Sequence, residues 1–280
     1  MKTMLVLTDF SDSAYNAALY AAALTHQLQI PKLILYHSCA LIPPMQTVVP
    51  VPGSVDAKDL HMESSERLTI LKNNLQSFLY EGTALEVLTD DRPLVAATEA
   101  IALQHQAGLV IMGVTGKGKL ERVLVGSTTI NLAKESFLPI LLVPPEARFE
   151  KIRRAVFACD LKNVSASTPV KTIKSLIHSL DASLLVLNVD TEDQDHFEPD
   201  TLNEQFILHK LWDDEKPEYH YTSNNNIAEG VMEFAYEHNI QLVIAVPKKR
   251  GFFESIFKRS LTQRLTFDLT IPLLLIRTEA

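Results

Sequence analysis

Late in the first half of the chain, glycine and hydroxyl residues have the types and the spacing expected of a phosphate-binding loop. Two residues separate Gly113 from Gly116, and after nine more residues come Gly126, Ser127 and Thr128, at the start of a predicted helix. Glycines leave room for phosphate oxygens to reach backbone amides. The free N–H groups of a helix N-terminus favour anions, and hydroxyls add further donors. The segment therefore predicts a polyphosphate site.

Two more candidate ligand residues follow apolar runs that read as buried strands. Asp9 follows the first run, Ser38 follows the second, and Gly113 ends the fourth. Parallel α/β sheets bind ligands beyond the carboxyl ends of their strands, where the strand order reverses. These residues are therefore predicted to meet at one crevice of a kind that suits a nucleotide.

The elements that must position these residues alternate regularly through the first half of the chain. Apolar periodicity predicts strands at 2–8, 32–37, 84–88, 109–112 and 139–143, and helices at 14–28, 62–79, 93–106 and 128–136. Such alternation requires right-handed crossovers between parallel strands. The prediction is an α/β fold with a doubly wound, Rossmann-like, five-stranded parallel sheet.

The second half of the chain repeats this order. Its predicted strands lie at 155–158, 183–189, 219–222, 241–246 and 272–276, and its helices at 167–180, 199–211, 227–238 and 256–267. Ile111 aligns with Ile244, and Ile140 aligns with Leu273, at the same separation of 133 residues. Internal duplication explains the length of 280 residues. We predict a first repeat at 1–147 and a second repeat at 152–280, joined by a short linker.

The second repeat has lost the glycine pattern of the loop. Val246, Lys249 and Arg259 stand where the first repeat has its three glycines, although Asp160 still matches Asp9. Side chains would obstruct the phosphate path, so a single nucleotide site is predicted, in the first repeat. The basic cluster from Lys248 to Arg264 has two interpretations that stay open, an anion site and a solvated loop.

The loop motif resembles that of the universal stress protein family, whose ATP-binding members carry Gly, two residues, Gly, nine residues, and Gly-Ser or Gly-Thr. The turn Thr8-Asp9-Phe10-Ser11 and the strand end at Ser38 are similar to that family as well, and the similarity covers the chain twice. One departure is Leu7, at a position where the family often has proline.

The resemblance implies a bound ATP, with or without Mg²⁺, and gives each site residue a role. Asp9 would hold ribose or adenine, and Ser38 would pair with adenine through main-chain groups. The phosphates would lie on the loop residues Gly113, Gly116, Gly126, Ser127 and Thr128. A nucleotide-dependent regulatory module in the stress response is the implied function.

Composition excludes several other classes. A net charge of −8 disfavours a nucleic-acid binder. No apolar run approaches the roughly 20 residues of a membrane-spanning helix, and the N-terminal run is too short for a signal peptide, so we expect a cytoplasmic protein. Cys39 and Cys159 are expected to be free thiols, and the scattered histidines predict no metal site.

Three alternatives accompany the ATP-binding module. A P-loop is disfavoured because Leu120 follows Gly118-Lys119 where Ser or Thr would bind Mg²⁺. No catalytic residue is predicted, so the enzymatic alternative is slow ATP hydrolysis or adenylyl transfer. The third alternative is a scaffold that acts through sheet edges, with unidentified protein partners. In it the closing strands at 139–143 and 272–276 pair in a pseudo-dimer within the chain, and a homodimer stays open.

Overall fold

The computed structural model describes residues 1–40, 57–116, 123–124, 131–133, 135–191, 199–247 and 270–278. The chain folds into two compact units, Met1–Gly113 and Val114–Ala280. Both are built from alternating strands and helices, as predicted.

The first unit is a four-stranded parallel sheet with its helices as crossovers. Its elements are β1 (Thr3–Leu7), α1 (Asp12–Leu28), β2 (Lys32–Ser38), α2 (Ala57–Leu75), a 3₁₀ turn (Gln76–Phe78), β3 (Ala84–Asp90), α3 (Leu94–His105) and β4 (Ala107–Gly113). The strand order is β4-β1-β2-β3. The chain runs outward from β1 to β3 and then returns to the other side of β1. The order therefore reverses between β1 and β4, where ligands of such sheets bind.

Helix α1 packs close against the sheet. Ser11 begins it as N-cap, since its Oγ accepts a hydrogen bond from the Ala14 N–H at 3.2 Å. Its buried face consists largely of alanines, at positions 14, 17, 18, 21 and 22. At the end of β4, a Cβ added to Gly113 would lie 2.4 Å from the carbonyl oxygen of Ser13. Only a residue without a side chain fits between this strand and the first turn of α1.

The second unit contains a short hairpin and a six-stranded sheet. Its elements are β5 (Thr115–Gly116), β6 (Val123–Leu124), β7 (Ile140–Val143), β8 (Arg154–Ala158), α4 (Val164–Ser167), α5 (Val170–Leu180), β9 (Ser183–Asp190), α6 (Pro199–Leu211), β10 (Glu218–Ser223), α7 (Ile227–Glu237), β11 (Leu242–Ala245) and β12 (Leu273–Leu275). The described sheet order is β10-β9-β8-β11-β12-β7. The first five of these strands are parallel, and β7 is antiparallel to β12.

Strand register confirms the internal duplication. Val6 of β1 is the partner of Ile111 of β4, and the aligned residues Phe157 and Ile244 are partners across β8 and β11. Backbone conformation repeats as well. The residue after each strand-end aspartate has a positive φ, 62° at Phe10 and 49° at Leu161. The helix before β4 and the helix before β11 are likewise followed by left-handed residues, with φ 51° at Gln106 and 50° at Asn239.

The predicted pairing of the two closing strands is also confirmed. Leu141 of β7 faces Leu274 of β12, and Ile140 faces Leu275. Leu141 and Leu274 are 133 residues apart, so the pairing is symmetric about two equivalent residues. This pairing groups β7 with the second unit, which is why the boundary between the units falls at Gly113. The repeat bounds 1–147 and 152–280 stay a prediction from the duplication.

One sequence-based expectation is wrong in detail. The helix predicted near 167–180 begins at Val170, after a separate helix that ends at Ser167, because Thr168 adopts an extended φ of −101° and ψ of 115° before Pro169. Proline disfavours a helical conformation of the residue that precedes it. The antiparallel hairpin of β5 and β6 was not predicted, since strands of two residues carry no periodicity. Of the helix predicted at 128–136, residues 131–133 and 135 are helical, and the helix predicted at 256–267 lies outside the described residues.

We expect Gly113→Ala to lower the free energy of unfolding by about 2 kcal/mol, because its Cβ would force α1 and β4 apart. Urea denaturation measures the change. Gly108→Ala in the same strand is the matched control, since its Cβ would meet the flexible Met1 side chain at 2.8 Å and not a backbone atom. Equal effects of the two substitutions would contradict the close approach.

We expect Gln106→Gly to raise the free energy of unfolding by about 0.5 kcal/mol. The exposed Gln106 is left-handed, a conformation that costs a residue with a Cβ about 1 kcal/mol and costs glycine little. The control is Gln104→Gly, two residues earlier inside α3, which should lower stability by about 1 kcal/mol. Opposite signs in urea denaturation are the expected result, and a loss in both variants would contradict it.

Candidate functional site

Asp9 lies at the carboxyl end of β1, beside the point where the strand order reverses. Its side chain is exposed, and its Oδ1 accepts hydrogen bonds from the backbone N–H of Ser11 at 3.0 Å and from Ser11 Oγ at 2.6 Å. The same Ser11 hydroxyl caps α1. One short turn thus fixes both the carboxylate and the start of the helix.

Aromatic and cation–π contacts hold this turn. Phe10 is left-handed, and its N–H donates to Thr8 Oγ1 at 3.0 Å. The rings of Phe10 and His37 have centroids 4.5 Å apart, and the guanidinium of Arg67 lies 4.3 Å from the centre of the Phe10 ring. His37 Nδ1 lies 2.8 Å from the carbonyl oxygen of Thr8. Arg67 comes from α2, so only the tertiary structure reveals its place beside Phe10.

Ser38 ends β2, and its hydroxyl is used inside the protein. Ser38 Oγ donates to the carbonyl oxygen of Arg92 at 2.7 Å and accepts from the N–H of Ala40 at 3.3 Å. The next residue, Cys39, donates its N–H to the carbonyl oxygen of Asp90 at 2.7 Å. The side chain of Ser38 therefore anchors the end of β2 to the segment after β3.

Tyr36, Asp90 and Arg92 form a network under Ser38 that the sequence did not single out. Tyr36 Oη donates to Asp90 Oδ1 at 2.8 Å, and Arg92 Nε donates to Asp90 Oδ2 at 2.8 Å. Partial burial raises the pKa of Asp90, but the hydrogen bonds from Arg92 and Tyr36 outweigh it and the net pKa is lowered. Burial, and then the Asp90 carboxylate, raise the pKa of Tyr36, so its hydroxyl remains a donor. No sequence pattern connects the three residues.

The structure describes two of the remaining predicted site residues, Gly113 and Gly116. Gly113 ends β4 in the first unit, and its lack of a side chain has a packing reason that needs no ligand. Gly116 lies in β5 of the second unit. Gly126, Ser127 and Thr128 lie outside the described residues. Within the first unit, Asp9 lies two residues after the end of β1, whereas Ser38 ends β2 and Gly113 ends β4, the two strands on either side of β1.

Several other expectations can be compared with the described residues. Cys39 and Cys159 are free thiols, as predicted. Among the described residues, no group of three or more His, Cys, Asp or Glu side chains is arranged to hold a metal ion. None of the helices in that part of the chain has the length and apolar character needed to cross a membrane.

Known proteins share the sequence pattern of the first half of the chain. The model of the universal stress protein family matches residues 1–144. Universal stress protein MJ0531 of Methanocaldococcus jannaschii is 28% identical over 146 residues, which span 51% of this chain and 81% of that protein.

Solved structures show the fold over nearly the whole chain. A universal stress protein from Archaeoglobus fulgidus DSM 4304 superposes with a TM-score of 0.69 at 15% identity and covers 98% of both chains. A protein from Pseudomonas aeruginosa UCBPP-PA14 gives 0.59 at 12% identity, with 99% of this chain and 94% of that chain covered. At these identities the likeness concerns fold alone. The family model, which spans more than half of the 280 residues, shows that the chain belongs to the universal stress protein family.

Proposed function

We propose that this universal stress protein binds one ATP in its first repeat and acts as a nucleotide-dependent regulatory module in the stress response. The observation that carries the proposal is the position of Asp9 and Gly113. Asp9 follows β1 and Gly113 ends β4, the strands between which the order reverses, and Gly113 opens the glycine motif that only the first repeat retains.

Charge decides how the nucleotide would lie. The Asp9 carboxylate repels phosphates and accepts hydrogen bonds, so it suits the hydroxyls of ribose or the amino group of adenine. The triphosphate would then extend away from Asp9, toward Gly113 and the predicted loop residues Gly116, Gly126, Ser127 and Thr128. Mg²⁺ would accompany the phosphates there. The main chain of Ser38 would meet the adenine.

The proposed action is binding and not catalysis. In the described part of the site, Asp9 is held by Ser11 and Asp90 is held by Arg92 and Tyr36. The pKa of Asp90 is lowered, whereas a general base that works near neutral pH needs a raised pKa. ATP occupancy would therefore change which partners the protein meets, and hydrolysis, if it occurs, would be slow.

A scaffold that acts through sheet edges is the second candidate. Its favouring observation is the antiparallel pairing of β7 with β12, which is how two one-domain subunits could join. We infer that the two repeats form a pseudo-dimer within the chain. The pairing places β12 between β11 and β7, so its edge is already used. A strand from another chain would have to pair with a different sheet edge. The terminal strand β10 carries mostly polar residues, which discourage such pairing.

We expect calorimetry to show one ATP bound per chain, and Asp9→Asn to weaken that binding about tenfold or more, because a charged hydrogen-bond acceptor is lost. Gly126→Arg, which introduces the residue of the second repeat, should abolish binding. Asp160→Asn, the equivalent change in the second repeat, is the matched control and should leave ATP binding unchanged. ADP release measured on the same samples separates binding from turnover.

Two results would overturn this proposal. The first is no ATP binding by folded, nucleotide-free protein, which would favour the scaffold. The second is equal weakening by Asp9→Asn and Asp160→Asn, which would remove the assignment to the first repeat.

A further inference from the structure

A cavity of about 350 Å³ opens in the second unit, beyond the carboxyl ends of β8 and β9. It is lined by the ends of these two strands, by Thr201 of α6 and by the first turns of α7. Sites for small molecules in proteins usually measure roughly 300 to 1,000 Å³. The cavity has room for a small ligand, in the repeat that lacks the phosphate-binding glycines.

The polar wall of the cavity is made of side chains that are held in place. Asp160 Oδ1 accepts a hydrogen bond from the backbone N–H of Lys162 at 3.2 Å, and Asp190 Oδ1 accepts one from the N–H of Thr191 at 2.9 Å. Asn188 is 7% exposed and donates through Nδ2 to the carbonyl oxygen of Cys159 at 2.9 Å. Fixed carboxylates and a fixed amide give a site defined geometry before any ligand arrives.

Other residues of the lining are apolar. Leu187 and Val189 of β9 and Val231 of α7 are buried, and Ile227 begins α7. An aliphatic or aromatic part of a ligand would contact these side chains. The cavity therefore suits a molecule with one apolar part and one polar end.

The charge of the polar residues in the lining determines which chemical groups the polar end of the ligand can carry. Among the described residues, the charged ones that line the cavity are Asp160, Asp190 and Lys162. Ionised carboxylates accept hydrogen bonds and donate none, and together they repel phosphate. The polar end should carry hydroxyl or amino groups and no phosphate.

Alignment with the first repeat shows that this is a different site on the same backbone. A separation of 151 residues relates the register of β1 and β2 to that of β8 and β9. At that separation Asn188 replaces His37, and Asp190 replaces Cys39. The Cys39 thiol lies 2.9 Å from the hydroxyl of Thr89, whereas the aligned Asp190 lines the cavity. Duplication preserved the strand ends, and substitution changed what they can bind.

We propose that this cavity, the Asp160 cavity, binds a small molecule that has an apolar part and donates hydrogen bonds to Asp160 and Asp190 through hydroxyl or amino groups, without a phosphate. The proposal does not depend on ATP binding in the first repeat. The two sites differ in position, in charge and in the ligand chemistry that they favour.

Three probes with the same ring and different polar ends test the proposal on the full chain: 1-phenyl-1,2-ethanediol, phenethylamine and phenyl phosphate. Ligand-observed NMR titrations give the affinities. We expect the diol or the amine to bind at least tenfold more tightly than phenyl phosphate. The diol and amine arms show whether the donor is neutral or cationic.

Variants assign the binding to the Asp160 cavity. Asp160→Asn should weaken binding of the preferred probe at least fivefold, and the matched Asp9→Asn should not change it. Ile227→Trp, which fills the cavity from its apolar side, should abolish binding and provides the test if Asp160→Asn fails to fold.

Three results would overturn the assignment: equal or tighter binding of phenyl phosphate, no binding of either the diol or the amine to folded protein, or equal effects of Asp160→Asn and Asp9→Asn. An ATP titration of the same variants keeps the two sites apart. A failure of ATP binding with intact probe binding would concern only the first repeat.

Discussion

The close approach of α1 to the end of β4 is the constraint on which the candidate site in the first unit depends. Gly113 leaves no room for a side chain against the Ser13 carbonyl, and the alanine face of α1 lets the helix lie against the sheet. This packing sets where α1 begins, and the N-cap Ser11 in turn holds the carboxylate of Asp9. The same few residues therefore determine both how α1 packs and where the predicted ligand residue Asp9 lies.

Interactions between distant segments then complete the strand ends. The Arg67 guanidinium from α2 lies over the Phe10 ring. Asp90 at the end of β3 accepts a hydrogen bond from Tyr36, and the Arg92 carbonyl accepts one from Ser38. These contacts restrict the turns that carry the predicted ligand residues. Ordering the site within the folded protein means that less conformational entropy is lost when a ligand binds.

The two repeats share their backbone structure and differ in the side chains at the strand ends. Both repeats keep the parallel register and the left-handed residue after the strand-end aspartate. Substitution at a few aligned positions, such as Asp190 for Cys39, changes the charge and shape of the crevice without disturbing the strands. A single chain can thus present two crevices that are lined by different side chains on one architecture.

The sequence by itself determined the α/β class, the duplication and nearly every element, because apolar periodicity and the 133-residue repeat are local or linear signals that survive in any arrangement of the chain. It also placed Asp9, Ser38 and Gly113 at strand ends. It could not decide how Arg67 meets Phe10, how Tyr36 meets Asp90, or how Gly113 meets Ser13, because each pair joins residues far apart in the chain whose meeting depends on how the elements pack. The Asp160 cavity is of the same kind. Its aspartate was recognisable in the sequence, but the space beside it exists only where β8, β9, α6 and α7 meet.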